Sequence, residues 1–194
     1  MKIFLGVPAS AAVRAAAGAL ARQLQARATA MAPQARVSWV PPDRFHLTVL
    51  FIGHVKPPQV DAVHAALVRP FAEPRFDLAI AGAGVFPVSG KPRVIWAGCG
   101  DGAAAFVRVQ HEAYTRIAAV MPLEPERDPR PHLTLARVKD AGGLGSRALL
   151  ADVEHVPLGA LPVDAVTLFE SRPVRNGVEY VPLVEVPMGV ARAV

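Results

Sequence analysis

The sequence predicts an α+β fold, with mainly antiparallel sheet arranged as two pseudo-symmetric lobes, helices packed outside and a central cleft. Strand-like and helix-like segments are mixed along the chain, and turn signals join several strands into hairpins. The segment Phe45–Leu50 (FHLTVL) is echoed by Pro131–Ala136 (PHLTLA), and His132 follows His46 by 86 residues (132 − 46), close to half of the 194-residue chain. We therefore expect residues 1–194 to form a single bilobal domain, with each lobe about half the chain.

The first half of the chain contains three strand patterns and two helix patterns. Strands are predicted at Ile3–Val7, Val37–Val40 and Phe45–Ile52, a helix at Ala9–Ala30, and a second helix that starts at Pro57. Proline is favoured in the first turn of a helix, which fixes that second start. The long helix is free of proline, and its apolar residues recur at helical spacing at Val13, Ala17, Leu20 and Leu24.

The second half is richer in strands and turns. Strands are predicted at Phe76–Val85, Arg93–Ala97, His132–Val138, Val163–Ser171 and Val178–Val186. Helices are predicted at Ala103–Val120 and Gly145–Val153, and a proline-rich loop at Pro122–Pro131. Turns are predicted at Pro87–Pro92 and at Arg175-Asn176-Gly177, so that two hairpins form.

Composition excludes several classes of protein. The chain is 52% hydrophobic and 19% charged, which excludes a disordered chain. Its one cysteine, Cys99, excludes an intramolecular disulfide framework, and with no His-x-x-x-His pair we expect no metal or other cofactor. No apolar run approaches the ~20 residues of a membrane span, so we expect a cytoplasmic protein. No obligate protein partner is evident from the sequence, so we expect a monomer. The net charge of +5 favours an anionic partner such as nucleic acid or a nucleotide.

The repeated element is His-x-Thr, placed on a predicted strand both times. Residues i and i+2 of a strand point to the same face, so His46 shares a face with Thr48, and His132 with Thr134. One neutral imidazole can take a proton from an attacking oxygen while a protonated one gives a proton to the leaving oxygen. Two histidines with hydroxyls beside them therefore favour metal-free cleavage of a phosphodiester, with the threonine hydroxyls donating to phosphate oxygens.

Two arginines are candidates for holding the phosphate. Arg130 has the same strand parity as His132, whereas Arg137 has the opposite parity and needs a twist or bulge in the strand to reach the site. A single His-x-Thr is more often structural, but two matched copies in apolar strands favour a functional role. Burying imidazoles and hydroxyls costs free energy unless they are paired, so a fold rarely does so twice at matched positions without a function. The other four histidines, at positions 54, 64, 111 and 155, are interpreted as surface residues.

The paired motifs resemble the two signatures of the two-histidine phosphoesterase superfamily, and most closely those of the bacterial RNA 2′,3′-cyclic phosphodiesterases, historically called 2′-5′ RNA ligases. The resemblance extends over nearly the whole chain. Its segments are Lys2–Val7, His46–Gly53 (HLTVLFIG), Pro92–Gly98 (PRVIWAG), Pro131–Arg137 (PHLTLAR) and Leu168–Leu183.

The resemblance implies a bilobal fold and metal-independent hydrolysis of a terminal 2′,3′-cyclic phosphate on RNA 3′ ends, or on small cyclic-phosphate nucleotides, to a 2′-phosphate. It implies that His46 is the proton donor, His132 the proton acceptor, and that Thr48, Thr134 and Arg137 hold the phosphate. The residues alone support the reversed donor and acceptor equally well. Two alternatives stay open, namely 2′-5′ RNA ligation or its reversal, and a non-catalytic protein that binds RNA ends or nucleotides.

Overall fold

Nine strands form one antiparallel sheet in the computed structural model, which describes residues 1–124, 129–175 and 177–190. The strands are β1 (Lys2–Pro8), β2 (Arg36–Trp39), β3 (His46–His54), β4 (Phe76–Phe86), β5 (Val94–Cys99), β6 (Leu133–Asp140), β7 (Pro157–Val163), β8 (Ala165–Val174) and β9 (Gly177–Pro187). Their order across the sheet is β7-β4-β5-β6-β3-β1-β8-β9, and β2 pairs with the free part of β6. The predicted α+β class with mainly antiparallel sheet is confirmed.

The strand order is symmetric about the junction of β3 and β6. Four strands lie on the His46 side (β3-β1-β8-β9) and four on the other side (β6-β5-β4-β7). The first of these groups combines the two ends of the chain, because β1 pairs with β8 from Ile3↔Glu170 to Gly6↔Thr167. Each half of the sheet therefore carries one His-x-Thr motif, as predicted, but the halves of the sheet are not the halves of the sequence.

Four α-helices cover the sheet, namely α1 (Ala11–Met31), α2 (Pro57–Ala66), α3 (Ala103–Ala118) and α4 (Ser146–Leu150), and a single 3₁₀ turn spans Pro42–Arg44, all within the described residues. The predicted apolar face of α1 is buried, and the hydroxyl of Ser10 caps the helix by accepting from the Val13 N–H at 3.3 Å. The second helix starts at Pro57 as predicted. The fourth helix is shorter than the predicted Gly145–Val153.

One strand, β7, was not predicted. Two prolines, Pro157 and Pro162, interrupt its pattern, and proline cannot donate to a strand ladder. The strand is tolerated because it lies at the edge of the sheet, paired on one side only, with β4. Its side chains Leu158, Leu161 and Val163 are buried, so it still contributes to the core.

Two predicted segments lie partly outside the described residues. These are positions 125–128 of the proline-rich loop and Asn176 of the last hairpin turn. Among the helices that the structure describes, none combines the length and the apolar character needed to cross a membrane.

Candidate active site

The two His-x-Thr motifs lie side by side where β3 meets β6. The two strands run antiparallel and pair at Leu47↔Leu133, which are both fully buried. This register sets His46 opposite Thr134 and His132 opposite Thr48, with all four side chains on the face opposite to the two leucines. The two histidines are therefore diagonal neighbours across the strand pair. In a regular ladder, diagonal neighbours lie about 7–8 Å apart, which is the span of one phosphate group with its hydrogen bonds.

Both imidazoles are oriented by the same backbone contact. The Nδ1 atom of His46 lies 2.8 Å from the carbonyl oxygen of Arg44, and Nδ1 of His132 lies 2.7 Å from the carbonyl oxygen of Arg130. A carbonyl oxygen can only accept, so each Nδ1 must carry its hydrogen. The remaining nitrogen, Nε2, is then the one that can take or give a proton in either ring.

The two rings differ in their surroundings. Phe4 and Tyr180 enclose His46, each with its ring centre 4.9 Å from the imidazole centre. This burial lowers the pKa of His46 below 6.5, and the charges of Arg137 and His132 lower it further, against the opposing effect of the Arg44 carbonyl. His132 contacts Phe86 edge-on at 5.2 Å and is half-exposed.

A bulge in β6 brings Arg137 to the site. On the partner strand, Ile95 pairs with Ala136 and the next residue, Trp96, pairs with Thr134, so Leu135 is an extra residue in β6. An extra residue reverses the alternation of faces beyond it. Thr134 and Arg137 therefore share one face, which is the condition on which the sequence prediction for Arg137 depended.

The first motif has a matching bulge in β3. Leu5 of β1 pairs with Leu50 and the next residue, Gly6, pairs with Thr48, so Val49 is the extra residue. The bulge places Phe51, which stands five residues after His46 as Arg137 stands after His132, on the face of Thr48. From α3, the buried side-chain amide of Gln110 donates to the Thr48 carbonyl at 3.3 Å and supports this irregular stretch.

A cavity of about 400 Å³ opens over these residues. His46, Thr48, Thr134 and Arg137 line it, together with Ser171, Tyr180 and the exposed Phe51. Its charged side chains are Lys2, Arg44 and Arg137, and none of the described residues that line it is acidic. A cavity with three cations and no carboxylate favours an anion.

Two predicted site residues, His132 and Arg130, are not among the described residues that line this cavity. His132 adjoins the same sheet face, just before the first residue of β6. The side chain of Arg130 is exposed, and the strand parity from which its role was predicted does not apply because β6 begins at Leu133. Its backbone carbonyl orients His132 instead.

Sequence reasoning missed Arg44 and Lys2. A signal for Arg44 is present, because the repeat is longer than His-x-Thr and reads Arg-x-His-Leu-Thr at both Arg44–Thr48 and Arg130–Thr134. The two arginines are thus equivalent in the repeat, and both supply the carbonyl that holds the histidine. Lys2 carried no signal, since its position depends on how β1 pairs with β3.

The other histidines were interpreted as surface residues, and three are exposed, namely His54, His111 and His155. His64 is half-buried, and its Nε2 has no hydrogen-bond partner among the described residues. Within the part of the chain that the structure describes, no group of three or more His, Cys, Asp or Glu side chains is arranged to hold a metal ion.

Comparisons with known proteins agree with this architecture. An RNA 2′,3′-cyclic phosphodiesterase of Aeropyrum pernix is 36% identical over 146 residues, 74% of this chain and 82% of that protein. One from Methanothermobacter thermautotrophicus is 33% identical over 147 residues, 74% of this chain and 78% of its own. Both sources are archaeal, so a specifically bacterial affiliation stays a prediction.

Solved structures share the fold. The protein TT0787 of Thermus thermophilus superposes with a TM-score of 0.77 at 26% identity, over 97% of this chain and 98% of its own. E. coli LigT complexed with 3′-AMP has a TM-score of 0.68 at 22% identity, over 96% and 97% of the two chains. The family model of the LigT-like phosphoesterases matches residues 13–96 and 106–180. Because that match spans well over half of the chain, this protein belongs to the LigT-like phosphoesterase family.

Proposed function

We propose that this enzyme hydrolyses the terminal 2′,3′-cyclic phosphate of RNA to a 2′-phosphate, without a metal ion. The observation that carries the proposal is the pairing of Leu47 with Leu133, which brings the two His-x-Thr motifs together. Each histidine there has its Nδ1–H held by a carbonyl and its Nε2 left for proton transfer. The cationic cavity wall and the relatives named RNA 2′,3′-cyclic phosphodiesterase support it.

The proposed reaction is one displacement at phosphorus. Nε2 of His132 takes a proton from water as the water oxygen bonds to phosphorus, and the bond from phosphorus to the 3′ oxygen breaks. Nε2 of His46 gives its proton to that oxygen, which leaves as the 3′ hydroxyl. Arg137 binds the non-bridging oxygens, and Thr48 and Thr134 donate hydrogen bonds to them. His132 ends protonated and His46 neutral, and exchange with solvent restores both.

The electrostatics place a condition on the donor role of His46. In the empty cleft, its lowered pKa favours the neutral ring, which cannot donate from Nε2. The substrate brings a negative phosphate to the same face, and an adjacent opposite charge stabilises the imidazolium. We infer that the negative charge of the bound substrate raises the pKa of His46, so that the ring is protonated in the complex.

A leaving-group experiment tests this assignment. In a substrate whose 3′ oxygen is replaced by sulfur, the leaving group departs as a thiolate, which needs no proton donor at neutral pH. His46→Ala should regain most of its lost rate on this substrate, whereas His132→Ala should not. Rescue of His132→Ala alone would reverse the two roles.

The proposed activity is tested with adenosine 2′,3′-cyclic phosphate and a cyclic-phosphate oligonucleotide in the presence of EDTA. We expect turnover by the native enzyme and its loss, by at least about 10²-fold, in His46→Ala and His132→Ala. His111→Ala, which removes an exposed histidine of α3, is the matched control and should keep full activity. Full activity in both site variants, or inactivation by EDTA, contradicts the proposal.

Two other outcomes are distinguishable in the same assay. Conversion of a 2′-5′-linked dinucleotide in preference to the cyclic phosphate would indicate the ligase-type reversal. Tight binding of an RNA end that survives long incubation unchanged would indicate a binding protein.

A further inference from the structure

The helix α1 carries three arginines and no carboxylate. One of them, Arg27, is used in the fold, because its guanidinium donates to the backbone carbonyls of Leu149 and Ala151. The side chains of the other two, Arg14 and Arg22, make no hydrogen bond or ion pair with the described residues. Charges that the fold does not neutralise are available to an external anion.

Arg14 and Arg22 line one groove of about 450 Å³ between α1 and the 3₁₀ turn. They flank Gly18 on the same helical ridge, at i, i+4 and i+8. The turn packs at that glycine, since a Cβ there would lie only 3.2 Å from Cγ of Pro42. The eight residue steps from Arg14 to Arg22 separate their backbones by about 12 Å along the helix axis.

The 3₁₀ turn connects this groove to the cleft. Pro42 and Asp43 line the groove, while Arg44, the last residue of the same turn, lines the cavity that holds His46. The Arg44 guanidinium reaches across to the β8–β9 hairpin, where it lies 2.7 Å from the position that a Cβ on Gly177 would take. The 3₁₀ turn therefore contributes to the walls of both the cavity and the groove.

We propose that Arg14 and Arg22 bind the phosphates of RNA nucleotides that precede the terminal one, so that the enzyme recognises a strand and not only its end. This inference rests on the proposed function. A strand whose last phosphate lies against the two histidines must leave the cavity, and the turn that places Arg44 in the cavity wall also places Pro42 and Asp43 in the groove wall. Guanidinium groups suit this role because their donors match phosphate oxygens in pairs.

The ionic balance of the groove fits a flexible single strand. Asp43 is the one carboxylate among the described residues that line it, and it opposes two guanidiniums. The excess of positive charge in the groove is small, which suits a few screened contacts to phosphates and no recognition of bases. Such contacts predict a preference for oligonucleotides over mononucleotides that weakens as salt is added.

The experiment compares adenosine 2′,3′-cyclic phosphate with a five-nucleotide oligoadenylate that ends in the same group. We expect the Arg14→Ala/Arg22→Ala double variant to raise KM for the oligonucleotide by about tenfold, with mononucleotide kinetics changed less than about twofold. The slope of log KM against log salt should fall by about 1.4, since each contact to single-stranded phosphate contributes about 0.7. Arg69→Ala, an exposed arginine of neither surface, is the matched control and should change none of these values.

Binding is measured separately from turnover, by fluorescence anisotropy of the labelled oligoadenylate on the same variants. Loss of affinity in the double variant, and not in Arg69→Ala, supports the inference even if the enzyme turns over neither substrate, in which case the proposed function alone fails. Unchanged oligonucleotide affinity and salt slope in the double variant overturn the inference and leave the proposed function standing. Stronger loss with Arg14→Glu/Arg22→Glu would support it further.

Discussion

At the residue scale, the molecule gives two equivalent histidines unequal surroundings. Both rings receive the same Nδ1 contact from the carbonyl two residues before them. His46 lies between Phe4 and Tyr180, whereas His132 has one ring contact and more solvent. Burial of the first ring lowers its pKa, so the fold places one perturbed imidazole in the wall of the cavity.

The lowered pKa of His46 predicts a pH-dependent stability. Above pH 6.5 the ring is neutral in both the folded and the unfolded chain, so its contribution is constant. As the pH falls below that value, the unfolded chain takes up the proton first, and the folded state loses stability through the lowered pKa. We expect the unfolding free energy of the native protein, relative to His46→Gln, to decline by at most about 1.4 kcal/mol per pH unit.

Urea denaturation at pH 8, 6.5 and 5 measures this difference. A difference between the two proteins that stays constant across these values, or that grows toward low pH, would show that burial does not disfavour the charged ring.

Arg137 is predicted to act on both phosphate and His46. Arg137→Met removes a cation from the cavity, so we expect kcat/KM to fall by about 10²-fold. It also removes a charge that lowers the pKa of His46, so the imidazole signal should titrate at higher pH in an NMR experiment. Lys139→Met, which removes an exposed cation farther along β6, is the control. An unshifted titration in Arg137→Met would contradict the electrostatic part of the account.

At the scale of elements, sequence patterns predicted what depends on local periodicity. The buried stripe of α1, the helix start at Pro57 and the two His-x-Thr strands follow from spacing and turn residues. The bulges at Val49 and Leu135 could not be predicted, because an extra residue shows only in the register with a neighbouring strand. For the same reason, the sequence alone could not decide on which face of the sheet Arg137 lies. The strand β7 was not predicted because its prolines interrupt the strand pattern. Proline is tolerated there because β7 lies at the edge of the sheet.

The packing of β4 on β5 next to the site gives a stability prediction. Gly84 pairs with Trp96, and a Cβ on Gly84 would lie 2.2 Å from that indole ring. Gly84→Ala must displace the ring and should cost about 1–3 kcal/mol of unfolding free energy. Gly100→Ala is the control, since its Cβ would meet its nearest neighbour at an ordinary 3.6 Å. Equal stability of the two variants in urea would contradict the close packing.

At the scale of the whole molecule, the chain interleaves its two half-sheets. The half with His46 contains both the first strand and the last two, so it is complete only when β9 has been added. The helices tie the halves together further. α1 leaves β1 of one half and packs on β6 and β7 of the other, and α3 contacts both β3 and β4.

We propose on these grounds that residues 1–194 are one cooperative domain. Thermal unfolding followed by calorimetry should show a single transition, with the calorimetric enthalpy equal to the van't Hoff enthalpy. Two separate transitions, or a mutation at Gly84 that shifts only part of a biphasic curve, would show that the half-sheets unfold as independent units.

The central claim is that the two histidines open a cyclic phosphate at its 3′ oxygen. Phosphorus NMR of adenosine 2′,3′-cyclic phosphate, incubated with the enzyme and EDTA, tests it most directly because the product isomers have distinct signals. The account predicts conversion of the cyclic signal into that of the 2′-phosphate, with no conversion by His46→Ala or His132→Ala. A 3′-phosphate product, or a cyclic signal that persists with the native enzyme, would contradict it.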